Sequence, residues 1–298
     1  ILQIAEENNI TKAAEKLFIT QSALNQQLLK LEKELGTPLF HRSRTNWRLT
    51  EAGEIYIEGA KAALQIKNTT YNRIYDVVSA RKGHLTIGLT PGRGLRMFTA
   101  IYPELHRSFP NLDVRPIEMR VRAQQDAIAK GEIDVGLMTL ARRDQTSDTY
   151  YPLKQEELVL IIPAGHPLAE KAAPSGEPLA TLDLTELRYE PFVLMDKTST
   201  LRSSCDLLFE KAGFAPNILV ETNNTSGIAA MVQSTLCCGI IPRYYTLGLT
   251  EGVACFSLPE RPSWEIVISC QKNAYLNSGA REFIRLAREY WENSAPLF

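Results

Sequence analysis

Residues 11–35, TKAAEKLFITQSALNQQLLKLEKEL, constrain this chain more than any other stretch. They break into two helical patterns around Phe18-Ile19-Thr20. In the first, Ala13, Ala14 and Leu17 share a face, and Asn9 is placed to cap the start. In the second, Thr20 is the expected N-cap, Leu24, Leu28, Leu31 and Leu35 form one apolar stripe, and Gly36 ends the helix. At about 100° per residue, the opposite side carries Ser22, Gln26 and Lys33, flanked by Asn25 and Lys30. A hydroxyl, amides and lysines on the outer face of a second, short-linked helix suit a DNA major groove, where Asn and Gln can read adenine. Two helices alone would fit an ordinary helical hairpin equally well. Residues 38–42 and 47–50 then read as short strands around a turn at 43–46. That is a wing bearing Arg42, Arg44 and Arg48, suited to the phosphate backbone.

The segments AAEKL, TQSALNQQLLKLEKELGTPLFHR and RLTEAG follow one another in this order. Together they resemble the winged helix-turn-helix of LysR-type transcriptional regulators, over nearly all of residues 1–80. Asn25 and Gln26 stand where that family usually has Ser and a basic residue, and Leu29 replaces a usual Lys or Arg. The candidates for base readout are Gln21, Ser22, Asn25 and Gln26; those for phosphate contact are Lys30, Arg42, Arg44 and Arg48.

Residues 51–81 are free of proline and helix-forming throughout. At 1.5 Å per residue such a helix spans roughly 45 Å, too long to lie wholly within a small head. Ala52, Tyr56, Gly59, Ala63, Ile66 and Thr70 follow a 4-3-4-3-4 spacing, a narrow seam suited to pairing with a second copy. The alternative is one amphipathic helix lying on its own domain. The resemblance, too, implies a dimerising linker helix. Arg81-Lys82-Gly83 is the expected hinge.

From His84 strands and helices alternate. Strands are expected at 84–90, 113–119, 133–139 and 153–162, with helices at 95–108 and 123–130 between the first three. A second unit has strands at 192–195, 218–221 and 236–241, and helices at 201–212 and 226–234. Strands at 253–258 and 264–270 and a helix at 278–291 close the chain. This predicts an α/β fold with a parallel sheet covered by helices, in two subdomains. GEIDVGLM, AGHPLA and MVQSTLCCGIIPR resemble the effector domain of the same family, similar in fold to periplasmic solute-binding proteins. The expected layout is a winged helix-turn-helix at 1–50, a linker helix and hinge at 51–83, and an effector-binding domain at 84–298. Within the last, subdomain I is 84–163 and 265–298, and subdomain II is 164–264. Where many members have Val-x-x-Gly-x-Gly, this chain has Val232-Gln233-Ser234-Thr235-Leu236-Cys237, a bulkier turn beside the cleft.

Open α/β sheets bind ligands beyond the carboxyl ends of their strands. Thr90, Pro91, Gly92 and Arg93 follow one strand; Thr198, Ser199, Thr200 and Arg202 follow another; Asn224 and Thr225 follow a third. Arg120 and Val121 open the helix after the second strand. Hydroxyls, amides and helix N-termini suit a small anion, with Arg93, Lys197 and Arg202 as countercharge and an arginine fork for a carboxylate. Plain helix capping, by Thr200 and Asn224 for example, would use the same residue types.

The chain's charge of −1 hides an asymmetry: residues 1–83 carry 12 basic and 9 acidic residues, a net of +3, against −4 for the rest. A weakly basic head fits DNA. The five cysteines, at 205, 237, 238, 255 and 270, have no metal-ligand spacing. Thr200 stands where, by the resemblance, peroxide-sensing members carry a reactive cysteine, so no thiol sensor is expected. No catalytic motif pairs a histidine with a nucleophile. The expected protein is a cytoplasmic regulator, not an enzyme, with no cofactor, no metal and no membrane span. Its expected partners are promoter DNA, a small carboxylate or other anionic effector, further copies in a homodimer or homotetramer, and RNA polymerase. A solute-binding protein on the same α/β fold is the alternative, which the helical head and long linker oppose.

Overall fold

The computed structural model describes residues 1–43, 47–78, 81–174, 176–249 and 251–294. Three helices, α1 (Leu2–Glu7), α2 (Ile10–Lys16) and α3 (Gln21–Leu35), form the head with the paired strands β1 (Phe40–His41) and β2 (Arg48–Leu49). Both expected caps form. The Asn9 carboxamide accepts from the N–H groups of Thr11 and Lys12, and the Thr20 hydroxyl accepts from Ala23 N–H. Ile4, Ile10, Ala13, Ala14, Leu24, Leu28, Leu39 and Phe40 make one small core. Two expected core residues fall outside it. Leu17 ends α2 and is 42% exposed, and Leu35, in the last turn of α3, is 45% exposed.

The linker helix α4 (Glu51–Val77) starts on the Thr50 cap. Gly53 lies so close to the wing that a Cβ there would stand 2.1 Å from the Leu39 carbonyl oxygen, so α4 and wing share one frame. Ala52 and Tyr56 pack on the head core, so they are not free for a seam. Gly59, Ala63, Ile66 and Thr70 face outward, and Ile66 is among the most exposed apolar side chains of the helix. Ile55, Ile74 and Val77 are exposed on the same side of the helix, extending the stripe at both ends.

β3 (Lys82–Leu89) begins inside the expected hinge, and Asn72 of α4 pairs with the His84 backbone at both its N–H and its carbonyl. The Asp76 carboxylate accepts from Ser278 N–H and hydroxyl, the Tyr275 hydroxyl and Arg281. The end of the linker helix is thereby fixed to the domain behind it.

That domain continues with α5 (Arg93–Ser108), β4 (Asn111–Glu118), α6 (Val121–Ala129), β5 (Val135–Leu140) and β6 (Thr149–Pro163). Next come β7 (Pro191–Met195), α7 (Thr200–Lys211), β8 (Asn217–Thr222), α8 (Thr225–Gln233) and β9 (Cys238–Pro242). β10 (Val253–Ser257), β11 (Ser263–Cys270) and α9 (Ser278–Glu292) end the described chain. One sheet runs through it in the order β4-β3-β5-β11-β6-β9-β7-β8, with β10 also paired to β6. The sheet is mixed, not parallel: β6, β10 and β11 run antiparallel to their neighbours. Beside a small core under α6, the hydrophobic side chains form two large cores. One joins Leu85, Ile87, Leu89, Met97, Leu105 and Phe283; the other joins Leu158–Ile162 with Phe192, Phe209, Ile228 and Phe256. The change of core falls inside β6, between Leu153 and Leu158, and again inside β11, between Trp264 and Ile266.

Candidate functional site

In the head, Gln21, Ser22, Gln26 and Lys30 stand exposed along α3, and Asn25 is half-buried beside Leu24. Gln21 also accepts a 3.2 Å hydrogen bond from the Thr11 hydroxyl, which ties the start of α3 to α2. Arg48 is exposed on β2 and, among the described residues, has no ion pair. Arg44 lies outside the described residues. Arg42, expected to contact phosphate, is exposed at the end of β1 and already has partners within the head. Its guanidinium pairs with the buried Glu32 of α3 and stacks 5.5 Å from the Trp47 ring centroid. Glu32 also accepts from Leu39 N–H at 2.8 Å. A carboxylate in α3 therefore holds the wing's first strand, and Arg42 is part of that brace.

Between the two cores of the larger domain lies a cleft of about 840 Å³. Thr90, Pro91, Gly92, Arg93, Arg120, Val121, Thr198, Ser199, Thr200, Asn224 and Thr225 all line it. They meet because the N-termini of α5, α6, α7 and α8 converge there from the ends of their strands. The bland uses of these residues also occur. Ser199, rather than Thr200, caps α7, and Asn224 caps α8. The buried Thr200 hydroxyl donates to the Thr139 carbonyl at 3.0 Å, a bond from one lobe to the other. Arg202 is not part of the lining: its guanidinium is buried on Asp206, Glu221 and the Met195 carbonyl. Lys197 is exposed and also absent from the lining.

The charges of the cleft differ from expectation. Arg93 is only 5% exposed and pairs at 2.5 Å with Glu156, which is fully buried. The rings of Tyr244 and Tyr245 lie 4.9 and 5.3 Å from its guanidinium carbon. Arg120 donates to Asp196 at 2.8 Å and to the Thr198 hydroxyl, so it latches one lobe to the other across the opening. The Arg120 hydrogen bond is the main reason the Asp196 carboxyl is held down to about 2, so the latch is charged at neutral pH. Arg96, in the first turn of α5, is exposed and, among the described residues, has no ion pair. Of the lining cations described, it is the one left for a ligand. The Thr90 hydroxyl is buried without a hydrogen-bond partner among the described residues.

Sequence reasoning did not name Arg96, Tyr244, Tyr245 or Trp264 as lining residues, and it placed Gln233 only in a turn beside the cleft. The tyrosines follow β9 directly, so the strand-end rule applied to that strand would have found them. The turn after α8 holds Thr235 at φ 66°, a left-handed conformation that costs a β-branched residue about 1–2 kcal/mol. The family's glycine pattern falls in this turn. Cys205 is buried in α7, and burial pushes its thiol up to about 12.

Comparison with known proteins adds to this geometry. Residues 1–54 match the model for the bacterial regulatory helix-turn-helix protein of the lysR family, and residues 79–292 match the LysR substrate binding domain. The uncharacterized HTH-type transcriptional regulator YcgK of Bacillus subtilis (strain 168) is 29% identical over 96% of this chain and 91% of its own length. Among solved structures, a full-length variant of OxyR from Pseudomonas aeruginosa aligns at a TM-score of 0.69 and 21% identity, over 98% of this chain and 92% of that one. Full-length CbnR complexed with its target DNA aligns at 0.53 and 22% identity, over 96% of each chain. Both likenesses are of fold. Among the described residues, no helix is long and apolar enough to cross a membrane.

Proposed function

The chain belongs to the LysR family of DNA-binding transcriptional regulators, with an effector-binding domain behind its helix-turn-helix head, and on that premise we propose that it is a dimeric or tetrameric cytoplasmic regulator controlled by a small anionic effector held between its two lobes. Arg96, without an ion pair among the described residues, carries the effector reading. It lies in a cleft where four helix N-termini converge, and helix N-termini favour negative charge. The other two arginines in the lining are already neutralised, Arg93 by Glu156 and Arg120 by Asp196. A carboxylate on Arg96 would leave the ligand's body against Tyr244, Tyr245 and Trp264. RNA polymerase is the partner that an effect on transcription would require.

The test is thermal stability of the full chain against a set of small carboxylates. A ligand at 100 times its dissociation constant should stabilise the fold by about 2.7 kcal/mol, and Arg96→Ala should abolish the shift. A shift that survives Arg96→Ala would remove this arginine from the site.

At the DNA, Gln21, Ser22, Asn25 and Gln26 are proposed to read bases, and Lys30 and Arg48 to contact phosphates. Asn25→Ala or Gln21→Ala is expected to lose roughly 1–3 kcal/mol of discrimination at one base position. Arg48→Ala should weaken operator and scrambled DNA alike. Affinities for both sequences, measured at one salt concentration, decide it. Equal weakening by Asn25→Ala would end its base-reading role.

A further inference from the structure

The cleft and the linker helix are joined by one short element. α6 begins in the cleft, where Val121 lines the wall and Arg120, its N-cap residue, makes the latch to Asp196 and Thr198. Nine helical residues, about 13 Å at 1.5 Å each, carry it away from the cleft to Lys130, Gly131 and Glu132. There it meets α4. Glu132 pairs with Lys61, and the Gln65 side chain occupies the space that a side chain at 131 would need. A Cβ on Gly131 would come within 1.8 Å of the Gln65 amide oxygen. Gly131 is also at φ 68°, so the tight approach and the turn both call for glycine.

Lys61, Gln65, Asn72 and Asp76 follow helical spacing down one side of α4, and all four touch the effector domain. Asn72 and Asp76 hold the end of the helix on β3 and α9, whereas Lys61 and Gln65 meet only the turn after α6 among these contacts. α6 itself is bedded by Val121, Ala127 and Ile128 on Ile133, Met138, Leu140 and Val267, a core separate from the other two. The fully buried Gln124 donates to the carbonyls of Met119 and Leu137, so the helix moves with its own small core.

We propose that α6 is a strut that carries the state of the cleft to the linker helix, with the Arg120 latch at one end and the contact of Gly131 and Glu132 with Gln65 and Lys61 at the other. The proposal rests on the reading of the cleft as the effector site. A ligand that changes how Arg120 meets Asp196 and Thr198 shifts the N-terminus of α6. Because the helix is short and rigidly bedded, the shift reappears at its far end, near the middle of α4. The linker helix is then tilted about the fixed anchor at Asn72 and Asp76, and the DNA-binding heads move with it.

The experiment is a double-mutant cycle in the full chain, read as affinity for operator DNA without any ligand. Arg120→Ala opens the latch, Glu132→Ala releases the strut from Lys61, and the two are combined. Sites this far apart with no shared partner combine additively, to within about twofold. The strut predicts that Arg120→Ala changes DNA affinity by about fivefold or more in the presence of Glu132 and by less than about twofold in its absence. A second pair, Lys61→Glu with Glu132→Lys, should restore the response to Arg120→Ala that Lys61→Glu alone removes. Additive effects, or a response to Arg120→Ala that is indifferent to the state of Glu132, would overturn the proposal. The cycle needs no ligand, so failure of the carboxylate thermal shift alone would count against the effector reading and leave the strut standing.

Discussion

Glu156→Ala is expected to destabilise the two-lobed domain by about 3–5 kcal/mol, read from guanidinium unfolding of the full chain. The carboxylate has no solvent exposure and accepts from Arg93 at 2.5 Å, from the Trp264 ring nitrogen at 2.7 Å and from Tyr244 N–H at 2.9 Å. These partners come from α5, from β11 and from the turn after β9, so one side chain ties both lobes together at the floor of the cleft. Its removal leaves a buried guanidinium without countercharge and two donors without an acceptor, and the stranded charge is the largest cost. Glu156→Gln keeps the shape and an acceptor and should cost less. Arg93→Met with Glu156→Leu should cost less than Glu156→Ala alone, because no charge is left stranded. A loss under about 1 kcal/mol for Glu156→Ala would mean that water reaches the pair, as it does for exposed salt bridges.

Ile66→Glu is expected to lower operator affinity by about 10²–10⁴-fold, the range by which joining two binding modules exceeds one. Ile66 is 69% exposed in the middle of α4, on the stripe that runs from Ile55 to Val77. A pair of carboxylates facing each other across a helix seam costs far more than the apolar contact it replaces, so the chain should sediment as a monomer. Lys61→Glu, on the opposite side of the same helix, should leave the assembly state unchanged. A variant that stays dimeric with Ile66→Glu would remove this stripe from the interface and return α4 to the alternative of a helix serving its own domain.

The head was largely legible in the sequence because its signals are local. Asn9 and Thr20 cap where their spacing to the next apolar residues requires, and Leu24 and Leu28 bury because they repeat at helical intervals. Strand ends drew attention to most of the cleft for a similar reason: polar loops at the ends of alternating strands are visible one by one. What stayed hidden was pairing between distant residues. Nothing near Arg93 announces Glu156, 63 positions on, and nothing near Arg42 shows that Glu32 will claim it. Arg93 and Arg202 were therefore expected to meet a ligand, whereas the fold uses both internally, and Arg96, without such a partner among the described residues, remained. The parallel sheet was expected from alternation alone. Alternation does not register that β6 and β11 must run against their neighbours to carry the chain across and back.

β6 is one continuous strand whose two ends belong to different cores, and β11 lies against it over the crossing. The lobes are consequently not interchangeable parts. A chimera that grafted the second lobe of a relative at residues 158–264 would cut both strands in mid-ladder, separating Glu156 from Trp264 and breaking the register on either side of the bulge at Ile266 and Val267. Recombination that preserves the fold has to take the whole two-strand spine from one parent, so this domain can vary its ligand by substitution in the loops around the cleft far more readily than by exchange of a lobe.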